Sequence, residues 1–83
     1  MTSKTFENAV SSIRAAALRR VRRRGQVSAV DVSSVAPGIT GDVRGAAVRE
    51  AFRQLESKGV IARTDDTTYN TATRHRVTVY TEV

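Results

Sequence analysis

The switch from a helical to a strand pattern falls within one stretch, Val48–Arg63, which reads Val-Arg-Glu-Ala-Phe-Arg-Gln-Leu-Glu-Ser-Lys-Gly-Val-Ile-Ala-Arg. Its apolar residues Val48, Phe52 and Leu55 recur at spacings of four and three, which places them on one face of an α-helix. After Gly59 the period becomes two, which is typical of a β-strand. The stretch therefore predicts a helix over about residues 42–58 that is followed at once by a strand.

An apolar stripe near the start of the chain predicts a first helix over about residues 5–24. Gly25 follows this stripe and is typical of the residue that ends a helix. Thr5 or Ser3 has the side chain of a residue that caps a helix start. The stripe recurs at spacings of four and three and consists of Phe6, Val10, Ile13, Ala17 and Val21.

Between these two helices the sequence predicts a short strand and a second helix. Gln26 and Val27 form the predicted strand. Ser28 is followed three residues later by Asp31, which resembles a capping box and predicts a helix over about residues 28–36. Pro37-Gly38 is expected to end that helix, because proline cannot continue it.

The last part of the chain, about residues 60–81, predicts a β-hairpin. A polar, threonine-rich segment over residues 65–73 is typical of the loop between its strands. In the second strand His75, Val77 and Val79 alternate with more polar residues, so we expect them to face inward. An isolated hairpin is barely stable and has to pack on the helices. The predicted fold is α+β, with a three-helix core, a C-terminal hairpin and the order α-β-α-α-β-β.

Length and charge indicate the class of partner. The chain has 83 residues, enough for one small domain over residues 1–83, and about 40% of them are apolar. Its 14 basic residues outnumber 8 acidic ones, which gives a net charge of +6, and 12 of the 14 are arginine. The guanidinium is planar, always charged and matched to phosphate. A small, arginine-rich domain most often binds a polyanion, nucleic acid above all.

Several function classes are excluded by composition. The sequence has no cysteine and one histidine, which leaves no thiolate metal site, disulfide or histidine-based metal centre. It has no phosphate-binding glycine loop, zinc spacing or nucleophile with a histidine partner, so we expect neither an enzyme nor a cofactor nor a small-molecule effector. Residues 1–8 lack the apolar run that is typical of a signal peptide, and no stretch approaches 18 apolar residues. We therefore expect a cytoplasmic protein with no membrane contact.

The stretch Val48–Arg63 resembles the recognition helix and first wing strand of winged helix-turn-helix DNA-binding proteins, GntR-like regulators among them. In that pattern a Val-Arg-Glu-Ala-Leu-type helix ends in Leu-Glu-x-x-Gly-Val/Leu-Ile/Val, and the wing begins directly. Phe52 stands here in place of the usual leucine. The upstream Gln-Val-Ser-Ala-Val-Asp-Val is similar to the short strand and capped second helix of the family. The resemblance covers about residues 26–81.

This resemblance implies a small transcriptional regulator that binds double-stranded DNA. The third helix would lie in the major groove, and the wing would contact the flanking backbone or minor groove. Many relatives place serine, arginine or threonine before the valine of this helix, whereas this chain has Gly45, Ala46 and Ala47. We therefore expect few hydrogen bonds from the first turn of this helix to DNA bases, and recognition of DNA that is sequence-specific or semi-specific. The chain also resembles short winged-helix proteins encoded by bacteriophages.

Two arginines of the third helix are the first candidates for DNA contacts. Arg49 and Arg53 lie one turn apart on the face opposite the core and reach guanine edges or phosphates. Arg44 either contacts a phosphate or pairs with an acid such as Asp31. Ala46 allows close approach to the groove floor and can touch a thymine methyl.

Further candidates lie in the wing and at helix starts. Arg63, Arg74 and Arg76 are expected to reach phosphates or the minor groove, with the last two on one strand face. Two acids, at residues 65 and 66, argue against contact at the wing tip because they repel phosphate. Ser28 and Thr40 either bind phosphate through helix N-termini or serve only as caps.

The densest charge lies in the last part of the first helix. Positive charge near the C-terminus of a helix interacts favourably with the helix dipole. This interaction is a sufficient structural reason for the cluster. The functional alternative is a second polyanion surface or an RNA-binding segment. The candidate residues are Arg19, Arg20, Arg22, Arg23 and Arg24.

Other functions stay open at this point. Winged helices also bind proteins, and the small residues before Val48 favour such a module. RNA binding through the first helix is a second alternative, and an architectural or recombination accessory protein that bends DNA is a third. Many winged helices dimerise to read two half-sites. Leu18, Tyr80 or Val83 could serve a homodimer.

Overall fold

The computed structural model describes residues 2–32, 35, 41–71 and 73–83. The three strands form one antiparallel sheet in the order β1-β3-β2, so the last strand is central. The fold is therefore α+β, as predicted. Its elements in chain order are α1 (Thr2–Arg24), β1 (Gln26–Ser28), a 3-10 helix (Ala29–Val32), α2 (Gly41–Ser57), β2 (Ile61–Asn70) and β3 (His75–Glu82).

Helix α1 buries the predicted stripe. Ile13, Ala17 and Val21 are completely inaccessible to solvent, because they pack against α2 and the sheet. The helix begins at Thr2, so the predicted caps at residues 3 and 5 are wrong. It ends as predicted at Gly25, whose φ is 85° and whose amide donates a hydrogen bond to the carbonyl of Val21 at 2.8 Å.

The predicted second α-helix is a 3-10 helix in its described part, Ala29–Val32. Its capping interaction is confirmed, since the amide of Ser28 donates to Oδ2 of Asp31 at 2.8 Å. The two valines of this segment are β-branched and Asp31 bonds locally, which weakens the preference for a regular α-helix. The described residues thus contain two α-helices where three were predicted. The remainder of the predicted helix, apart from residue 35, and Thr40 lie outside them.

Helix α2 ends in a Schellman motif that sets the direction of the hairpin. Gly59 has a φ of 74°, and its amide donates to the carbonyl of Glu56 at 3.0 Å. The amide of Val60 donates to the carbonyl of Leu55, also at 3.0 Å. Both bonds satisfy carbonyls that a helix end leaves without partners. They lead the chain directly from α2 into β2, as the sequence predicts.

The hairpin is longer than predicted, and the predicted loop over residues 65–73 is wrong for residues 65–70, which belong to a strand. Strand β2 continues to Asn70, which pairs with His75, so the turn comprises residues 71–74. The pairing is irregular between Arg63 and Thr67, and the two acids at residues 65 and 66 lie at this bulge. Threonine has a high preference for strands, which explains the extension. The two acids therefore lie in mid-strand rather than at the tip.

The core places Tyr80 on the inner face of the hairpin, contrary to the predicted alternation. Tyr80 is 9% exposed, and its ring lies 4.9 Å from that of Phe52 at an interplanar angle of 80°. It pairs with buried Val27 of β1, and paired residues share a face. His75, which was expected to face inward, is exposed. Val79 is buried beside Ser28 on the face of the sheet opposite to that of Tyr80. Pairing with β1 decides which residues of β3 face the core. The alternation of residues in the sequence does not reveal this pairing.

Alanine substitution is expected to have opposite effects at two glycines. Gly25 has a left-handed φ of 85°, so Gly25→Ala should destabilise the fold by about 1–2 kcal/mol. Gly45 lies within α2 without a positive φ, and a Cβ there would meet only Nη1 of Arg49 at 3.5 Å. Gly45→Ala should therefore stabilise the fold by up to about 1 kcal/mol. Thermal unfolding followed by circular dichroism measures both, and shifts in the same direction would contradict the expectation.

Within the described ranges, no helix combines the length and apolarity that crossing a bilayer requires.

Candidate nucleic-acid interface

An open groove of about 460 Å³ lies between α2 and the hairpin. We call it the α2–hairpin groove. Its floor contains the buried side chains of Val48, Phe52 and Tyr80. Four exposed arginines line it from three elements: Arg49 and Arg53 of α2, Arg63 of β2 and Arg76 of β3. The structure thus brings together four of the predicted DNA-binding residues.

Local structure explains why these arginines meet. Arg49 and Arg53 are four residues apart, so they lie on the same face of α2. Arg63 pairs across the hairpin with Tyr80, and Arg76 precedes Tyr80 by four residues in β3. Residues an even number apart in a strand share a face, which directs both hairpin arginines toward the side that packs on α2.

Arg53 is held by an ion pair on the same helix. Its Nε and Nη2 donate to the two carboxylate oxygens of Glu50 at 2.9 and 2.5 Å. Gln54 also donates to Glu50 at 2.8 Å, and Arg14 of α1 donates to Gln54. The bond from Arg53, and secondly that from Gln54, lowers the pKa of Glu50 from 4.5 to about 2. Glu50 is therefore negatively charged at every ordinary pH.

The hairpin arginines also have partners. Nε of Arg63 donates to Oε2 of Glu56 at 2.8 Å, and this bond is the main reason that the pKa of Arg63 is raised. Nε of Arg76 donates to Oγ1 of Thr67 at 2.7 Å, across the two strands. These contacts hold both guanidinium groups over the groove and use only part of their five donors.

Arg49 differs from the other three arginines of the groove in its contacts with the described residues. Among the described residues it has no hydrogen bond or ion pair. Its Nη1 lies 3.5 Å from the position that a Cβ on Gly45 would occupy, so the guanidinium extends over the glycine. All five donors of Arg49 are therefore available to a ligand.

Three other candidates lie outside this groove. Arg44 is half-buried in the first turn of α2 and lines a neighbouring groove that continues to the hairpin turn. Ala46 is half-buried on α2 and does not line the α2–hairpin groove. Arg74 lies in the turn with a φ of 61°, so the expectation that it shares a strand face with Arg76 is wrong.

The helix-start candidates are not part of this surface. Ser28 is 3% exposed, and its hydroxyl donates to Oδ2 of Asp31 at 3.3 Å. Its observed role is therefore the capping one. Thr40 lies outside the described residues, and the structure does not place it. Asp31, considered as a partner of Arg44, forms an ion pair with Arg20 at 3.1 Å as well.

The arginines of α1 divide into two groups. Arg20 pairs with Asp31 at 3.1 Å, and Arg22 pairs with Glu82 at 3.4 Å. The remaining three candidates are exposed and have no hydrogen bond or ion pair among the described residues. They are Arg19, Arg23 and Arg24.

Sequence reasoning missed two features of the α2–hairpin groove. Tyr80 forms part of its floor, although the strand alternation predicts that it faces outward. Thr67 orients Arg76, although the polar composition predicts a loop there. The threonine-rich composition of residues 64–71 was the available signal, because it favours a strand and would have placed Thr67 opposite β3.

Comparison with protein-family models finds no match, and comparisons with curated proteins and with solved structures find none either. The resemblance of residues 26–81 to GntR-like winged helices stays a prediction from the sequence. The functional argument consequently depends on the charge and geometry of the α2–hairpin groove.

Proposed function

We propose that this protein is a winged-helix transcriptional regulator that binds double-stranded DNA. Helix α2 would enter the major groove, and the hairpin would act as a wing on the flanking backbone. The observation that carries the proposal is the convergence of four arginines, from one helix and two strands, on a single open groove. Such a basic surface on a helix and an adjoining hairpin is the expected electrostatic footprint of a nucleic-acid-binding domain.

The exposed face of α2 suits a major groove. The groove is about 12 Å wide and admits one α-helix. Small residues at the start of α2, namely Gly41, Gly45 and Ala46, let its backbone approach the bases closely. Arg49, which no described residue bonds, extends from the same part of the helix and can donate two bonds to a guanine edge.

The hairpin suits the phosphate backbone. Arg63 and Arg76 offer donors that their internal partners leave unused. The described residues of the turn include Arg74 and two threonines but no acid. The two acids that were expected to repel phosphate at the tip lie instead at the mid-strand bulge, so they do not oppose contact at the tip.

Internal ion pairs would moderate this binding. Arg53 and Arg63 each face a glutamate within 3 Å, and DNA phosphates would compete with these carboxylates. Exposed ion pairs contribute little to the stability of the fold, so replacing them with phosphate contacts costs little free energy. The two glutamates repel phosphates that are not well placed for the arginines. This repulsion favours binding to a specific DNA site over binding to any DNA.

The decisive test measures binding to random duplex DNA, single-stranded DNA and duplex RNA over a salt series. About five or six arginine–phosphate contacts give a slope of log K against log salt near −5 for duplex DNA. We expect duplex DNA to bind most tightly and with the steepest slope. Weak binding, or equal binding of all three polymers, would reject the proposal.

Removal of the Glu50 charge is expected to strengthen DNA binding. Glu50→Gln frees Arg53 and removes a negative charge beside the α2–hairpin groove, so affinity for duplex DNA should rise about threefold. Fluorescence anisotropy measures this change. Glu7→Gln, which alters the same charge on an exposed position of α1, should leave the affinity nearly unchanged.

The pKa of Glu50 sets the pH dependence of this effect. Because the pKa is lowered from 4.5 to about 2, the contribution of the carboxylate to folding is present above about pH 4.5 and is lost as the pH falls through about 2. The affinity ratio of Glu50→Gln to the natural protein should therefore be the same at pH 5 and pH 8. A ratio that approaches one at pH 5 would show that the carboxylate titrates there.

A further inference from the structure

A second basic surface lies on the last two turns of α1. Its arginines occur as two pairs four residues apart, which brings all four to neighbouring positions on the helix. They line an open polar groove of about 220 Å³, together with Ala16 and Asp31. We call this the α1 basic surface; it consists of Arg19, Arg20, Arg23 and Arg24.

The α1 basic surface has more positive charge than its single acidic residue neutralises. Its groove contains four arginines and one acid, Asp31, which pairs with Arg20. The other three guanidinium groups have no partner among the described residues, and Nε of Arg20 is buried without a hydrogen bond. The helix dipole explains basic residues in the last turn, 22–24, but Arg19 lies before that turn.

This surface and the α2–hairpin groove have no lining residue in common. Arg20 and Arg24 also line an adjoining groove that contains Val79 of β3. The next residue, Tyr80, lines the α2–hairpin groove and contacts Phe52. Arg14 of α1 contacts Gln54 of α2, and Arg23, nine residues later, lies on the opposite side of α1, so the α1 basic surface faces away from α2.

A straight duplex held in the α2–hairpin groove does not reach a surface of α1 that faces away from α2. We therefore propose that the α1 basic surface binds the phosphate backbone of a second DNA duplex, so that one protein molecule bridges two duplexes. This inference rests on the proposed function for the first duplex. Guanidinium groups without partners on both sides present the same phosphate-binding chemistry, which favours a second segment of the same polymer as the occupant.

A bridging assay tests this inference. A biotinylated duplex is immobilised, the protein is added, and recovery of a second, fluorescent duplex is measured. We expect the natural protein to recover it. Arg23→Ala combined with Arg24→Ala should hold the immobilised duplex within about threefold of the natural protein yet recover about tenfold less of the second duplex. The matched control, Arg22→Ala with Lys58→Ala, removes two charges outside the surface and should bridge normally.

The outcomes separate this inference from the proposed function. If the natural protein binds the immobilised duplex but recovers no second duplex, bridging is rejected and DNA binding stands. If it binds no immobilised duplex, the proposed function itself fails. Normal bridging by the Arg23→Ala, Arg24→Ala variant would assign bridging to self-association and overturn the second site. Preferential recovery of duplex RNA as the second polymer would overturn DNA as the occupant.

Discussion

Replacement of Arg49 and Arg53 by alanine together should lower the affinity for duplex DNA at least about tenfold at moderate salt. Arg49 has no partner in the part of the chain that the structure describes, and loss of Arg53 leaves Glu50 uncompensated beside the phosphates. Two lost phosphate contacts reduce the salt slope by about 1.8. A titration of labelled duplex at several salt concentrations measures both quantities.

The control for this experiment carries the same charge change on the α1 basic surface, outside the α2–hairpin groove. Arg23→Ala with Arg24→Ala should change the affinity for a single duplex by less than about threefold. Equal losses from the two double variants would mean that net charge, and not the α2–hairpin groove, determines binding. Circular dichroism spectra would confirm that both variants are folded.

A lysine at position 49 separates charge from geometry. Arg49→Lys keeps the positive charge but lacks the planar fork that bonds to a guanine edge. If Arg49 reads a base, the variant should keep the salt slope and lose about 1–3 kcal/mol of discrimination between DNA sequences. If Arg49 contacts only a phosphate, discrimination should not change. The measurement needs a preferred duplex, obtained by selection from random sequences.

Phe52→Ala should produce the largest loss of stability in the described core. Phe52 is 4% exposed and contacts the ring of Tyr80, so its removal leaves a cavity between α2 and the sheet. Truncation of a buried phenylalanine costs about 3–5 kcal/mol. A domain of 83 residues has a total stability of about 4–12 kcal/mol, so much of the population should unfold. Urea unfolding followed by circular dichroism measures the loss.

Two further variants test this interpretation of Phe52. Tyr69→Ala truncates an aromatic side chain that is 49% exposed on the hairpin, and it should cost less than about 1 kcal/mol. Phe52→Leu restores the residue usual in the family that the sequence resembles and should cost less than about 1.5 kcal/mol. A greater loss from Tyr69→Ala than from Phe52→Ala would contradict the packing described for α2 and the sheet.

Sequence periodicity predicted the helices well because their patterns are local. The apolar stripe of α1, its end at Gly25 and the buried face of α2 all follow from residues within a few turns of each other. The same holds for the turn from α2 into β2, where Gly59 allows a conformation that other residues adopt with strain. Net charge depends on composition alone, and it likewise indicates a polyanion as the partner.

The errors arose where short segments depend on distant ones. Four residues with one local capping interaction form a 3-10 helix, although the same signal predicted an α-helix. The polarity of residues 65–70 predicted a loop, yet this segment belongs to the strand that pairs with β3. Pairing between strands depends on the partner as much as on the segment itself, so single-strand patterns predict it poorly.

The sequence by itself determined the α+β class, the helical faces, the excess of arginine on α1 and the exposed arginines of α2. Only the tertiary structure decided which arginines act together. Arg63 and Arg76 line the α2–hairpin groove because pairing of Tyr80 with Val27 of β1 sets the phase of β3, and that pairing joins residues far apart in the chain. The same phase places Val79 on the other side of the sheet, in a groove that Arg20 and Arg24 also line.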